Sequence, residues 1–263
     1  MGNMGQENKE KKQRLHSLDT LRGIAVIGMI FIHVSYDLPG YLGVNPLYEN
    51  STWYWIFEQC VRSIFIGLSG YCCFMGRHPI KRGITVSLAG LLVTLVSIVT
   101  KTDPPIYYGV LTLIGASMIL STLFRKAINK KNGIFFTVFF ALLFVATLHI
   151  YQGYFGFYNH PVWEFPGGIY QATHPFIVSI KAFIGLPTTS FASSDYFPLM
   201  PWFFLFMTGF SLYASCGEAI SKSKAMNVKI QPAAFLGKHA LLVYLVHQPV
   251  IIGILMLISY IRR

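Results

Sequence analysis

The chain has 263 residues, of which 54% are hydrophobic, 16% aromatic and only 12% charged, and its formal net charge is +11. A soluble domain carries about 25% charged residues because its surface faces water, so this composition excludes a soluble globular protein. The basic residues lie in short clusters between apolar runs, as in loops beside an anionic leaflet, and this distribution disfavours nucleic-acid binding.

Seven apolar runs approach the roughly 20 residues that a transmembrane helix requires. They cover 19–37, 53–75, 82–100, 106–124, 133–150, 197–214 and 234–259. A further run, His174 to Leu186, contains Lys181 and is too short to cross, so it is expected to form a re-entrant or interfacial helix. The sequence therefore predicts an all-α bundle of about seven transmembrane helices in a domain 19–259, flanked by tails 1–18 and 260–263.

The basic residues predict the orientation of this bundle. With the N-terminus in the cytoplasm, 16 Lys and Arg residues face the cytoplasm and four face outward. This excess follows the positive-inside rule, and it places a long loop, about 151–196, on the outer face. We therefore expect a multi-pass plasma-membrane protein with a cytoplasmic N-terminus.

The first run carries ionisable residues at both ends. Asp19 and Arg22 lie at its cytoplasmic end, where they could bind substrate or simply face headgroups. His33 follows Arg22 by 11 residues, almost three helical turns, so both should project from one face about 16 Å apart. Asp37 follows His33 by four residues, and a carboxylate that orients an imidazole is a usual way to prepare a base at neutral pH.

Other ionisable residues fall in or beside later runs, where charge in a membrane usually marks function. Glu58 and Arg62, four residues apart, can form an ion pair that is either functional or structural. Asp195 precedes the sixth run. His247 lies near the middle of the seventh, where it is either functional or a partner for backbone groups freed by Pro249. We expect all four to converge with His33 and Asp37 in one polar cavity.

Metal chemistry has little support in the sequence. The four cysteines, Cys60, Cys72, Cys73 and Cys216, lie in or at the edge of apolar runs without paired CxxC spacing, and they are interpreted as small buried residues. No HExxH-like pattern occurs. We therefore expect no metal site.

Five sequence blocks carry a family resemblance, in the same order along the chain. They are Ser17 to Ala25 with His33 and Tyr36-Asp37-Leu38, Arg62 to Gly70, Tyr108 to Gly115, Asp195 to Trp202, and Leu236 to Pro249. These blocks resemble the bacterial relatives of heparan-alpha-glucosaminide N-acetyltransferase. The interval from Arg22 to His33 is also similar to the first-span signature of the acyltransferase-three family.

The resemblance implies a transmembrane acyltransferase that uses cytosolic acyl-CoA, with acetyl as the expected acyl group. Asp19 and Arg22 would lie where the CoA phosphates bind. His33, oriented by Asp37, would act as general base or transient acyl carrier, and Arg62 or His247 would stabilise the oxyanion. Glu58 and Asp195 complete the expected catalytic set. The expected partners are acetyl-CoA, an extracytoplasmic sugar or glycan, the bilayer and, as in relatives, a second copy of the chain.

Two alternatives remain open at this stage. A proton-coupled transporter or a flippase for a sugar-linked substrate could use the same buried histidines and carboxylates to relay protons. Such proteins often contain inverted repeats, and none is visible here. A non-catalytic subunit that keeps the fold is the third possibility.

Overall fold

The computed structural model describes residues 16–46, 51–157, 160–223, 226 and 228–262, and it is mostly helical. The predicted tail 1–18 therefore lies largely outside the described residues, as do Lys224 and Arg263. The α-helices in the described part are α1 (His16–Leu42), α2 (Thr52–Met75), α3 (Pro79–Val99), α4 (Val110–Phe124), α5 (Gly133–Thr147), α6 (Pro175–Ile184), α7 (Leu199–Ser221), α8 (Gln231–Lys238) and α9 (Ala240–Ile261).

Five helical segments within the described residues are long and apolar enough to cross a membrane. They are α1, α3, the segment Gly133–Gln152 that contains α5, α7 and α9. Two of the predicted spans are not among them, because α4 has only 15 residues and the 24-residue α2 carries Glu58 and Arg62 in its first half. The chain is a membrane protein, whereas the count of seven spans and the cytoplasmic N-terminus remain predictions.

Two predicted spans have different limits in the structure. The run 234–259 is not one helix: it is divided at His239 into α8 and α9, because α8 packs against α1 while α9 continues into the bundle. The run 106–124 is helical only from Val110. The two residues before Gly109 are not helical: the Tyr107 N–H donates to the Ser193 hydroxyl (2.9 Å), and Tyr108 has a positive φ of 53° while its carbonyl accepts a hydrogen bond from Phe197 (2.9 Å).

The long loop contains more structure than the sequence predicts. Two short antiparallel strands, β1 (Tyr154–Phe157) and β2 (His160–Glu164), form a hairpin, so the fold is not purely α-helical. The predicted short helix is present as α6, and its re-entrant or interfacial position stays a prediction. Lys181 of α6 donates hydrogen bonds to the carbonyls of Ile169 (2.7 Å) and Gln171 (3.0 Å), which holds the loop together.

Glycines allow the close helix contacts that fix the bundle. Between α1 and α8, Gly23 lies against the Ala233 carbonyl and Gly237 lies against the Asp19 carbonyl, with no room for a Cβ at either glycine. Between α2 and α7, Gly70 likewise lies against the Phe206 carbonyl and Gly209 lies against the Gly67 carbonyl. Small residues at helix crossings are typical of membrane bundles, where packing replaces the hydrophobic effect. As a result α1 contacts α2, α8 and α9. These contacts bring the ionisable side chains of the helices together.

Candidate active site

Two histidines meet where α1 and α9 cross. The ring centroids of His33 and His247 lie 4.8 Å apart, with 56° between the ring planes. His247 is 8% exposed and His33 is half-buried. The crossing brings together two imidazoles that are separated by more than 200 residues in the sequence.

One hydrogen bond of His247 shows which ring nitrogen donates. The Nδ1 atom lies 2.6 Å from the carbonyl oxygen of Tyr244. Because a carbonyl can only accept, Nδ1 carries the proton, and the Nε2 atom of the neutral ring keeps its lone pair. This buried Nε2 has no hydrogen-bond partner within the described chain. Its lone pair is therefore not used by any group in the described part of the chain.

Asp195 reaches the same site through Tyr244. The Tyr244 hydroxyl donates a hydrogen bond to Oδ2 of Asp195 (3.1 Å), and the Tyr244 ring lies 5.2 Å from the His247 ring. Burial raises the pKa of the Asp195 carboxyl, while the Tyr244 hydrogen bond and the positive charge of Arg62 act in the opposite direction. Asp195 thus holds the side chain of Tyr244, whose carbonyl accepts the hydrogen bond from His247.

The expected pairing of Asp37 with His33 is wrong. Oδ2 of Asp37 accepts a hydrogen bond from Nε2 of Gln248 (2.8 Å), and no hydrogen bond joins Asp37 to His33 among the described residues. The i, i+4 spacing of His33 and Asp37 permits a contact within α1. The donor that bonds Asp37 is instead Gln248 of α9. Since Gln248 follows His247 directly, this bond fixes α9 against α1 beside the two histidines.

Glu58 and Arg62 form the predicted ion pair on α2. Arg62 Nη2 donates to Oε1 of the buried Glu58, which also accepts a hydrogen bond from the Tyr36 hydroxyl (3.3 Å). The Arg62 guanidinium lies over the Phe197 ring, 5.4 Å from its centroid. The pair therefore connects α1, α2 and the segment before α7.

The other end of α1 holds the predicted Asp19–Arg22 pair. Arg22 Nη1 lies 3.2 Å from Oδ1 of Asp19, and its Nη2 donates to Sγ of Cys72 at 3.0 Å. A weaker bond reaches the Gly237 carbonyl (3.4 Å). These contacts from α2 and α8 hold the guanidinium near the N-terminal end of α1, and the side chain is 24% exposed.

A second arginine lies at the same end of α2. Arg125 Nη2 donates to the carbonyls of Phe74 (2.9 Å) and Gly76 (3.2 Å), while its buried Nη1 has no partner within the described residues. Its guanidinium also lies 5.3 Å from the Phe74 ring centroid. Arg22 and Arg125 thus place two guanidinium groups around the end of α2, a suitable arrangement for an anion.

Three residues of the site were not selected from the sequence: Tyr36, Tyr244 and Gln248. Tyr36 follows His33 by three residues, and Tyr244 precedes His247 by three, so helical spacing placed both near a selected histidine. Gln248 is adjacent to His247. Cys72, interpreted as a buried apolar residue, also has a polar partner in Arg22. Across the described residues, no cluster of three or more His, Cys, Asp or Glu side chains is suited to hold a metal ion.

Comparison with known proteins gives one family. Residues 14–249 match the family model described as "Heparan-alpha-glucosaminide N-acetyltransferase, catalytic". No curated protein and no solved structure matches the chain. The match covers both histidines and all the ion pairs of the site, and it ends within α9.

Proposed function

The chain belongs to the heparan-alpha-glucosaminide N-acetyltransferase catalytic family, and on this premise we propose that it transfers an acyl group from cytosolic acyl-CoA to an amine or hydroxyl of an extracytoplasmic sugar. The family is one of membrane acetyltransferases, so acetyl-CoA is the first donor to test. The proposal places the protein in the plasma membrane with its N-terminus in the cytoplasm.

The arrangement of His33 and His247 is the observation that carries this proposal. Their rings lie 4.8 Å apart inside the bundle, and His247 Nε2 is buried with no partner among the described side chains and backbone. An unpartnered lone pair in a buried site costs free energy unless a ligand uses it. An acceptor amine or hydroxyl supplies the missing proton donor.

The transfer step needs one base and one leaving group. The acceptor nitrogen or oxygen forms a bond to the thioester carbonyl carbon, its proton passes to an imidazole, and the carbon–sulfur bond breaks to release CoA. Either His33 or His247 serves as the base. Alternatively His33 attacks the thioester first and carries the acyl group to the acceptor, which divides the reaction into two steps.

The inner end of α1 suits the anionic part of the donor. Arg22 and Arg125 lie around the end of α2, and Arg22 is 11 residues before His33 on the same helix, about 16 Å along its axis. We assign the CoA phosphates to the Arg22 end and the thioester to the histidines. Asp19 orients Arg22 through their ion pair.

Arg62 is the residue proposed to stabilise the oxyanion that forms on the thioester carbonyl. Glu58 holds its guanidinium, and Phe197 covers one face. A preorganised donor of this kind contributes about 2.7 to 4 kcal/mol to transition-state stabilisation. Asp195 acts through Tyr244 to hold His247 in place.

A direct assay tests the proposal. Purified protein is reconstituted in proteoliposomes with acetyl-CoA on the Arg22 side and a glucosamine oligosaccharide on the other. We expect release of free CoA that depends on the oligosaccharide, together with an acetyl mass increment on the sugar. Sugar counterflow without acetyl-CoA would instead indicate a transporter, and failure to bind acetyl-CoA by a folded protein would indicate a non-catalytic subunit.

A further inference from the structure

Three arginines from different parts of the chain surround the C-terminal end of α2. Arg22 of α1 donates to Cys72, one turn before the helix ends. Arg125, which directly follows α4, donates to the Gly76 carbonyl (3.2 Å). Arg82 of α3 packs so closely against Gly76 that a Cβ there would clash with its Nη1 atom. Arg22 and Arg82 also both lie within electrostatic range of Cys72. We call Arg22, Arg82 and Arg125 the arginine cluster.

The arginine cluster carries more positive charge than the described carboxylates around it neutralise. Asp19 pairs with Arg22. Neither Arg82 nor Arg125 forms an ion pair with a described residue, and Arg82 is exposed. Like charges that are held together repel each other, so this arrangement costs free energy unless an anion joins it. A phosphate group suits such a cluster, because its oxygens accept several charge-assisted hydrogen bonds from guanidinium groups.

The helix α2 measures how far the cluster lies from the candidate active site. Arg62 marks the histidine end of α2, since its ion-pair partner bonds the hydroxyl of Tyr36, one turn after His33. Cys72 follows Arg62 by 10 residues, about 15 Å along the helix axis, and Gly76 follows it by 14 residues, about 21 Å. Arg22 therefore contacts α2 about one turn nearer to the histidines than the other two arginines of the cluster do.

We propose that Arg82 and Arg125 bind the 3′-phosphate on the ribose of the acetyl-CoA donor, while Arg22 binds its diphosphate. This inference rests on the proposed function, which assigns the thioester to the histidines and the CoA phosphates to the Arg22 end. In acetyl-CoA the pantetheine arm separates the thioester from the diphosphate, and the 3′-phosphate lies farther along the molecule, on the ribose. The order of these groups matches the order of the histidines, Arg22 and the remaining two arginines along the bundle.

The contacts of the cluster also bear on two other roles for these arginines. An arginine beside a helix C-terminus stabilises the last carbonyls, and Arg125 does so for Phe74 and Gly76. That role does not involve Arg82. The phosphate of an anionic lipid headgroup offers the same chemistry as the 3′-phosphate and could reach the exposed Arg82. The position of Arg22 favours the donor, because its largely buried side chain links the cluster to the helix that carries His33.

A donor without the 3′-phosphate tests the assignment. Acetyl-dephospho-CoA differs from acetyl-CoA in this group alone, so the wild-type kcat/KM of thiol release should be about tenfold lower, or less, with the shorter donor. Arg82→Gln and Arg125→Gln should each lower kcat/KM for acetyl-CoA and leave the value for acetyl-dephospho-CoA nearly unchanged, so that the preference shrinks toward one. Lys126→Gln is the matched control, because Lys126 is an exposed cation next to Arg125, and it should keep the wild-type preference.

Binding to the wild-type protein provides a second test that needs no variant to fold. In nanodiscs of phosphatidylcholine, and in nanodiscs that also contain phosphatidylglycerol, CoA should bind about tenfold or more tightly than dephospho-CoA. A lipid headgroup at the cluster gives a different result. The protein would then bind CoA and dephospho-CoA equally, and Arg82→Gln would weaken the retention of labelled phosphatidylglycerol by the purified protein.

The outcomes separate this assignment from the proposed function. Equal kcat/KM values for the two donors in the wild type would overturn the assignment and leave the proposed function intact. A preference for the 3′-phosphate that survives both Arg82→Gln and Arg125→Gln would also overturn it. Absence of thiol release from both donors by a folded protein would contradict the proposed function, and the assignment would fall with it.

Discussion

Gln248 donates a hydrogen bond to Asp37 at 2.8 Å and thereby joins α9 to α1 one residue beyond His247. Both partners lie next to the histidine pair, since Asp37 follows His33 by four residues. The bond therefore holds α9 against α1 beside the two imidazoles, although neither of its residues hydrogen-bonds an imidazole nitrogen in the described structure.

Substitutions at Asp37 separate the hydrogen bond from the charge. Asp37→Leu removes the acceptor and should lower kcat about tenfold or more by displacing His247 relative to His33. Asp37→Asn keeps an oxygen that can accept from Gln248, so it should retain most of the activity. The steady-state kcat for CoA release checks this, and equal losses in both variants would show that the negative charge matters instead.

The histidines should be essential for transfer. His33→Gln and His247→Gln should each lower kcat by about 10²- to 10⁴-fold, because each removes a group that accepts or carries the reacting proton or acyl group. Their combined effect should be far from additive if the two act as a unit. His174→Gln, at an exposed position before α6, is the control and should be near wild type. Near wild-type activity of His33→Gln would refute its assigned role.

Arg22 should act on the phosphates of the donor. Arg22→Gln should lower the kcat/KM for acetyl-CoA at least tenfold while affecting acetyl-pantetheine, which lacks the nucleotide, much less. Arg262→Gln, at the exposed end of α9, should change neither value. A purely structural role for the Arg22 contacts to Asp19 and Cys72 would reduce activity toward both donors equally, and that result would contradict the assignment.

The Tyr244–Asp195 bond should contribute to stability. Tyr244→Phe leaves the half-buried Asp195 carboxyl without this donor and should lower the free energy of unfolding by about 1 to 3 kcal/mol in detergent. Tyr260→Phe, at an exposed position of the same helix, should change it by no more than about 0.5 kcal/mol. A double-mutant cycle with Asp195→Asn measures the coupling. A coupling free energy near zero would show that this bond does not hold Asp195.

The sequence predicts much of this architecture because helical spacing is a local property. It predicts helices at the positions of α1 to α7, and it predicts the Glu58–Arg62 pair, both of which depend on residues close in sequence. The family resemblance, confirmed by the match over 14–249, depends on blocks of consecutive residues in the same way.

Contacts between distant segments could not be predicted in this way. Gln248 replaced the expected partner of Asp37 because α9 crosses α1 at that level, and no spacing within α1 indicates this. His239, where the run 234–259 is divided, is not a helix-breaking residue type. The helix α8 ends there because the close contact of Gly237 with the Asp19 carbonyl places α8 against α1. The hairpin of β1 and β2 was not predicted either, because its segment is rich in aromatic residues and was interpreted as part of the long loop 151–196.

The 11-residue interval between Arg22 and His33 also sets a limit on the acceptor. With Arg22 at the cytoplasmic boundary, as the charge distribution predicts, the imidazole lies about 16 Å into a hydrocarbon layer of about 30 Å. A sugar that arrives from the opposite compartment must descend through the remaining half of the layer to be modified. Under the proposed reaction only the free terminus of a glycan can make that descent, so the modification should occur at chain ends and spare internal or branched units.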